Sequence, residues 1–252
     1  MSSLKPDIMV NPGDLFSQIA PTAGTVPYNT SIPELGTRSV TGDGREFRYV
    51  SAGASNLIIG QLHSAAAIQS NYTDVTAVAI AANATSGTLT VSTGTAVTAN
   101  QFAGGYYTTY GTVANGGGQI LKIASNAAVS ASGTTLTFTL EEGPATAITT
   151  SATVTIVPPQ FAALVQTPTT VTGTPAGIAV TSLTALYYGW VQVKGLANAL
   201  IAGTPAIGTG LSAPNAGTAG TLQVTAATLM DIATNLKTGT DGRYGPVNLE
   251  IS

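Results

Sequence analysis

One histidine and no cysteine among 252 residues narrow the chemistry that these side chains can perform. His63 is the only side chain whose ordinary pKa suits proton transfer near neutrality. It lies in an apolar, Ala-rich stretch, and no Ser/His/Asp set can be anchored elsewhere, so a hydrogen-bonded structural role is expected. A zinc centre needs several Cys or His ligands, and thiolate chemistry needs cysteine; neither is available. Glu141-Glu142 could act as paired carboxylates. However, neighbours on a strand point to opposite faces, and the pair precedes Gly143-Pro144, so a solvated turn is expected. Asp43-Gly44-Arg45-Glu46 and Asp241-Gly242-Arg243 are turn sequences without calcium-loop spacing. Gly116-Gly117-Gly118 lacks the strand-to-helix context and the Lys of a phosphate loop. N-x-S/T sequons at Asn29, Asn71 and Asn83 matter only behind a secretory leader, and residues 1–7 have no apolar leader core. These residues imply no enzyme, cofactor or metal, and synthesis in a cytoplasm without export is expected.

The side chains left for recognition are aromatic. Tyr106, Tyr107 and Tyr110 follow Gly104-Gly105, and Tyr187-Tyr188 stand beside the only Trp, Trp190. Such clusters serve as sugar platforms or protein anchors, or pack across strands. Tyr188 and Trp190 share one strand face flanked by apolar residues, so packing is expected there. The exposure of the three tyrosines is open.

The elements that must position these groups are read from composition and period. The chain holds 41 Thr, 38 Ala and 29 Gly, a palette that favours pleated strands and tight turns over helices. Charged residues are 8%, where an ordinary domain carries about 25%. Nine of the nineteen charges fall in residues 1–60, and only Lys122, Glu141, Glu142 and Lys194 in 75–230. A net charge of −3 with no basic run argues against nucleic acid as a partner. The charge-free stretch 143–193 is broken throughout by Thr, Gly and Pro and is no membrane span. A charge-poor surface suits a protein that packs against neighbours.

Along the chain, Pro6, Pro12, Pro21, Pro27 and Pro33 mark residues 1–35 as an extended arm with at most one helical turn after Asp14. Leu15, Phe16, Ile19, Val26 and Tyr28 suggest that it is draped on a surface. Strands are expected at 45–50, 88–92, 119–123, 134–140, 152–157, 187–195 and 247–251. In 134–140, Leu136, Phe138 and Leu140 share a face. Residues 56–70 read either as strand or as a helical face interrupted by Gly60. Thr228 and Asp231 form a capping pattern for a short helix at 229–236. Residues 49–60 echo 191–203 in the order strand, Gly, Asn, apolar run, Gly, which suggests two equivalent segments. The expected fold is all-β and mainly antiparallel. A sandwich or barrel base (36–70 with 161–252) carries an inserted β domain (71–160) and the arm, with at most short helices.

Asp43-Gly44-Arg45-Glu46-Phe47-Arg48-Tyr49, Gly60-Gln61-Leu62, Val97-Thr98-Ala99-Asn100-Gln101-Phe102-Ala103-Gly104-Gly105-Tyr106, 118–123 and Tyr187-Tyr188-Gly189-Trp190-Val191-Gln192 together resemble a family of decoration (cement) proteins on the heads of tailed phages. The likeness covers roughly residues 36–195. It implies a structural virion subunit that binds the outside of an assembled capsid, often as a trimer. The major capsid protein and further copies of the chain would be its partners, and no catalytic residues come with the family. A phage fibre or tail-attached carbohydrate-binding module is one alternative, and a polysaccharide-degrading hydrolase with two carboxylates in a cleft is the other. Candidate contact residues are Leu15, Phe16, Ile19 and Tyr28 of the arm, Arg45 and Arg48, and Tyr106, Tyr107 and Tyr110.

Overall fold

A computed structural model describes residues 33–251 except 93, 95, 216, 227 and 228. The arm residues Leu15, Phe16, Ile19 and Tyr28 lie outside the described residues, as does Thr228. The fold is all-β and mainly antiparallel, one sheet forming a half-barrel and the other a nearly closed barrel. Among the described residues the only helical elements are two 3₁₀ turns, Ser70–Tyr72 and Val113–Asn115. Sixteen strands follow in order among the described residues. The first six are β1 (Arg38–Val40), β2 (Glu46–Ser51), β3 (Leu62–Ser64), β4 (Val75–Thr76), β5 (Ser86–Thr90) and β6 (Tyr106–Tyr110). Next come β7 (Ile120–Asn126), β8 (Thr135–Leu140), β9 (Thr153–Val157), β10 (Val165–Gln166) and β11 (Pro175–Ala179). The last are β12 (Tyr188–Ile201), β13 (Gly210–Ser212), β14 (Gln223–Val224), β15 (Ala233–Asn235) and β16 (Arg243–Glu250). The chain divides into two compact units: Ala67–Pro159, and the residues on either side of it.

Ala67–Pro159 builds a six-stranded antiparallel sheet in the order β4-β9-β6-β7-β8-β5. Period-2 alternation accounts for its core. Leu136, Phe138 and Leu140 all point inward from β8 and meet Leu89, Tyr107, Ile123, Val154 and Ile156. On the opposite face β5 and β8 set Ser86, Thr88 and Thr90 across from Thr139, Thr137 and Thr135. That face is wetted by hydroxyls instead of charge. Buried Asn126 ties the approach to β6: its Oδ1 accepts the Phe102 N–H at 2.8 Å, and its Nδ2 donates to the carbonyls of Thr98 and Ala127. Gly105 is required at the start of β6, because a Cβ there would stand 2.4 Å from the Val157 carbonyl oxygen.

The flanking unit carries the ten-stranded sheet, in the order β10-β3-β11-β12-β16-β15-β13-β14, with β1 and β2 joined to it through β12. The long β12 pairs with β2 over Tyr188–Lys194 and with β16 over Lys194–Ile201. One core lies around Leu62, Ile178, Leu211 and Val247, and another around Val50, Leu57, Leu164 and Val191. Tyr49 packs edge-on against Trp190 at 5.1 Å between centroids and stacks with Tyr188, so these aromatics are packing groups. Burial, aided by Tyr188, pushes the Tyr49 hydroxyl up to about 12.

The structure departs from the sequence pattern in two places. Residues 229–236 form no helix. Ala233–Asn235 is a strand between β13 and β16, with Ala233 and Asn235 buried and Thr234 exposed. Asn235 Nδ2 donates to the carbonyls of Pro205 and Ala206 at 2.9 and 3.0 Å, so tertiary partners outweigh the helical pattern. The echo between 49–60 and 191–203 is not a structural repeat. Asn198 lies inside the continuous strand β12, whereas Asn56 accepts the Ala185 N–H outside any strand. The 56–70 segment takes its strand reading at Leu62–Ser64.

Candidate partner-binding surfaces

His63 is fully buried on β3, where its Nε2 accepts the Ile58 N–H at 3.2 Å. Burial lowers its pKa to about 4, only partly opposed by the Gln61 backbone. It is therefore neutral at pH 7 and enclosed by the sheet. Glu141 pairs with Lys122 at 2.7 Å, and both it and Glu142 are exposed. A hydrogen bond from Arg38 lowers the Glu46 pKa, and one from Thr41 lowers that of Asp43. Among the described residues no three His, Cys, Asp or Glu groups gather closely enough to hold a metal ion.

Two surfaces remain. The first is on β6 and β7. Alternation turns Tyr106 and Tyr110 outward and Tyr107 inward, so Tyr107 is a core residue and no contact residue. The reason is register: Tyr107 lies opposite Leu121 on one side and Ile156 on the other, and its ring meets Phe138 at 5.0 Å. Burial pushes its hydroxyl pKa up. Ile120, 70% exposed, is the partner of Thr108 and thus sits diagonally between Tyr106 and Tyr110. On its other side Thr108 pairs with buried Thr155. Alternation in 119–123 already placed Ile120 beside Lys122, so that signal was available in the sequence.

The second surface is an apolar groove of about 520 Å³ on the flanking unit, lined by Arg45, Ile59, Leu196, Asn198, Tyr244 and Pro246 among others. It opens beside the part of β12 that has left β2 and is laddered on β16. The departure is made by a register shift at Gln192/Lys194, held by buried Gln192, whose Nε2 donates to the carbonyls of Lys194 and Leu196. Past it, Lys194, Leu196 and Asn198 alternate outward. Gly60, at φ +71°, forms one wall, because a Cβ there would lie 2.6 Å from the Tyr244 ring. Leu196 and Tyr244 were not singled out in the sequence, since only the β12–β16 register brings their strands together.

Arg45 and Arg48 separate. Arg45 lines the groove, with Nε on Asp43 Oδ2 at 2.8 Å and its guanidinium 5.7 Å from the Phe47 ring centroid. Arg48 is half-buried; it donates to the Gly36 carbonyl at 3.1 Å and covers Phe161 at 5.7 Å, which makes it a brace of its own unit. No helix among the described residues is long and apolar enough to cross a membrane. Neither family models, nor curated proteins, nor solved structures yield a match to this chain.

Proposed function

We propose that this protein is a non-enzymatic structural subunit of a tailed-phage virion, binding the outside of the assembled capsid as a decoration (cement) protein, in trimers around closed symmetry axes. The observation that carries the reading is a charge-poor, all-β surface that leaves Ile59, Leu196, Tyr244, Tyr106, Tyr110 and Ile120 in solvent, in a chain with no assembled reactive group among its described residues. Exposed apolar groups on a surface poor in charge suit lasting contacts between copies and with a shell. The resemblance carried by residues 100–106 and 187–192 points the same way. Both blocks hold structural positions here, through Phe102 and Gly105 in one and Trp190 and Gln192 in the other.

Attachment that rests on apolar contact is insensitive to screening. Particles washed in molar salt should therefore keep the protein at the same occupancy as in dilute buffer, read by gel densitometry and by density on the capsid in electron micrographs. Loss in salt, or particles without the protein on their heads, would defeat the proposal.

A second reading, a carbohydrate-binding module on a fibre or tail, is favoured by Tyr106 and Tyr110 projecting from one sheet face with hydroxyl-bearing neighbours. A glycan array decides it: binding that Tyr106→Ala abolishes supports this reading, and a blank array removes it.

A further inference from the structure

The chain carries eight Lys and Arg, and the fold gives all but two of the described ones a partner. Arg38, Arg45, Lys122 and Lys194 lie within 4.0 Å of a carboxylate, and Arg48 donates to the Gly36 carbonyl. Lys237 and Arg243 are the exception. Neither forms an ion pair among the described residues, and both line one cavity of about 270 Å³ that no Asp or Glu lines. Like charges gathered at one cavity repel each other, and an anion between them removes that cost.

The cavity belongs to the connection from β15 to β16, where the backbone is held at several points. Arg243 opens β16 opposite Ile201 of β12. The Gly239 N–H donates to the Pro205 carbonyl at 2.8 Å, and the Gly242 N–H to that of Ile201 at 3.0 Å. The Arg243 N–H closes the turn on the Thr240 carbonyl at 3.1 Å. Asp241 is the one acid of this connection; its Oδ1 accepts the Gly203 N–H at 2.6 Å and is not part of the cavity lining. Gly239 leaves no room for a side chain, because a Cβ would stand 2.6 Å from Pro205 Cδ. The walls are thus set in advance, and a ligand is spared the cost of ordering them.

Charge and size define the ligand. A carboxylate brings one negative charge, whereas a phosphate group brings about 1.5 to 2 and three strong acceptor oxygens. Two cations match the phosphate, and Thr238 and Thr240 in the same lining carry hydroxyl donors for its oxygens. The volume lies just under the range of about 300–1,000 Å³ that takes drug-sized ligands, so any carrier of the phosphate is small. We propose that the cavity between Lys237 and Arg243 binds a phosphate group, as the free ion or on a small phosphomonoester such as a sugar phosphate. The assignment is independent of capsid attachment and is tested on protein free of particles.

The full-length protein is titrated calorimetrically at pH 7 and constant ionic strength, with inorganic phosphate and with glucose 6-phosphate. Saturable binding is expected, with Kd of about 1 mM or tighter for at least one probe. Lys237→Gln and Arg243→Gln should each weaken it by about tenfold, and together abolish it. Both side chains are exposed, so these variants should keep the wild-type Tm. Lys122→Gln with Lys194→Gln removes the same net charge elsewhere and should leave binding unchanged. Tighter binding of glucose 6-phosphate identifies a phosphomonoester as the ligand, and equal or weaker binding identifies the free ion; either supports the site. No saturation by either probe below about 10 mM would overturn the proposal. So would binding that survives the Lys237/Arg243 double variant, or an equal loss in the Lys122/Lys194 control.

Discussion

Tyr107→Ala is expected to destabilise the Ala67–Pro159 unit by about 3–5 kcal/mol, while Tyr106→Ala and Tyr110→Ala change it by about 0.5 kcal/mol or less. The three tyrosines belong to one five-residue strand, and the difference is a matter of which way each ring points. Tyr107 is fully buried among Leu121, Ile156 and Phe138, so truncation leaves a ring-sized void among close-packed neighbours. Tyr106 and Tyr110 are half exposed and lose mainly cross-strand contact with Lys122, Val157 and Thr153. The hydroxyl sharpens the test. Buried Tyr107 Oη has no hydrogen-bond partner among the described residues, so Tyr107→Phe should be neutral or stabilising by up to about 1 kcal/mol. Far-UV circular dichroism melts report both units and Trp190 fluorescence the other one alone, so a transition seen only by circular dichroism belongs to this unit. For a unit of this size, about 3 kcal/mol lowers Tm by at least 12 °C or so. A Tyr107→Ala melt within a few degrees of wild type would mean that the ring is not in the core. A contact role for Tyr106 and Tyr110 would instead appear as lost partner binding at unchanged Tm.

The same strand shows what the amino-acid order could disclose. Wherever alternation was strong, as in Leu136-Thr137-Phe138-Thr139-Leu140, the strand and its buried face were both legible, because period 2 and burial on one side are the same fact. At Tyr106-Tyr107, two like side chains in succession conceal the phase, and only pairing with β7 and β9 decides which is inside. The 229–236 segment failed for a related reason. Leu229, Ile232, Ala233 and Leu236 fit a helical stripe, yet β13 and β16 offered ladder partners and the Pro205 and Ala206 carbonyls accepted from Asn235, so non-local pairing prevailed over local propensity. The groove was hidden more deeply. It depends on the Gln192/Lys194 register shift and on Tyr244 lying over Gly60, contacts between residues roughly 50 to 180 apart that no local spacing encodes. Arg45 and Arg48 could not be told apart in sequence, since the groove and the Phe161 ring that distinguish them come from distant segments.

His63 yields the second large effect, a loss of stability on mild acidification. In the fold it is fully buried and neutral, with Nε2 as acceptor for the Ile58 N–H, and burial lowers its pKa to about 4 from an ordinary 6.5. Between those values the unfolded chain binds a proton that the folded chain refuses, so stability is greatest above pH 6.5 and falls as pH drops toward 4. At about 1.36 kcal/mol per pKa unit, the fall amounts to about 2 kcal/mol by pH 5 and about 3 kcal/mol by pH 4. The carboxylates act in a lower window. Glu46 and Asp43 have pKa values held below 4.5 and 3.8 in the fold, so their contributions are present above those values and are lost mainly at pH 4.5 and below. The interval from pH 7 to pH 5 therefore isolates the histidine. Urea unfolding of the base unit, followed by the single Trp190, should show the midpoint falling across that interval in wild type and holding nearly level in His63→Gln, whatever the absolute stability of the variant. A level wild-type profile would mean that His63 is solvated, and the same slope in both proteins would assign the effect to another group. The location gives the result its reach. Ile58 is followed directly by Ile59 and Gly60, which line the groove, so protonation that withdraws the Nε2 acceptor loosens that wall first. A groove ligand should then be released at a higher pH than the one at which the Trp190 signal collapses.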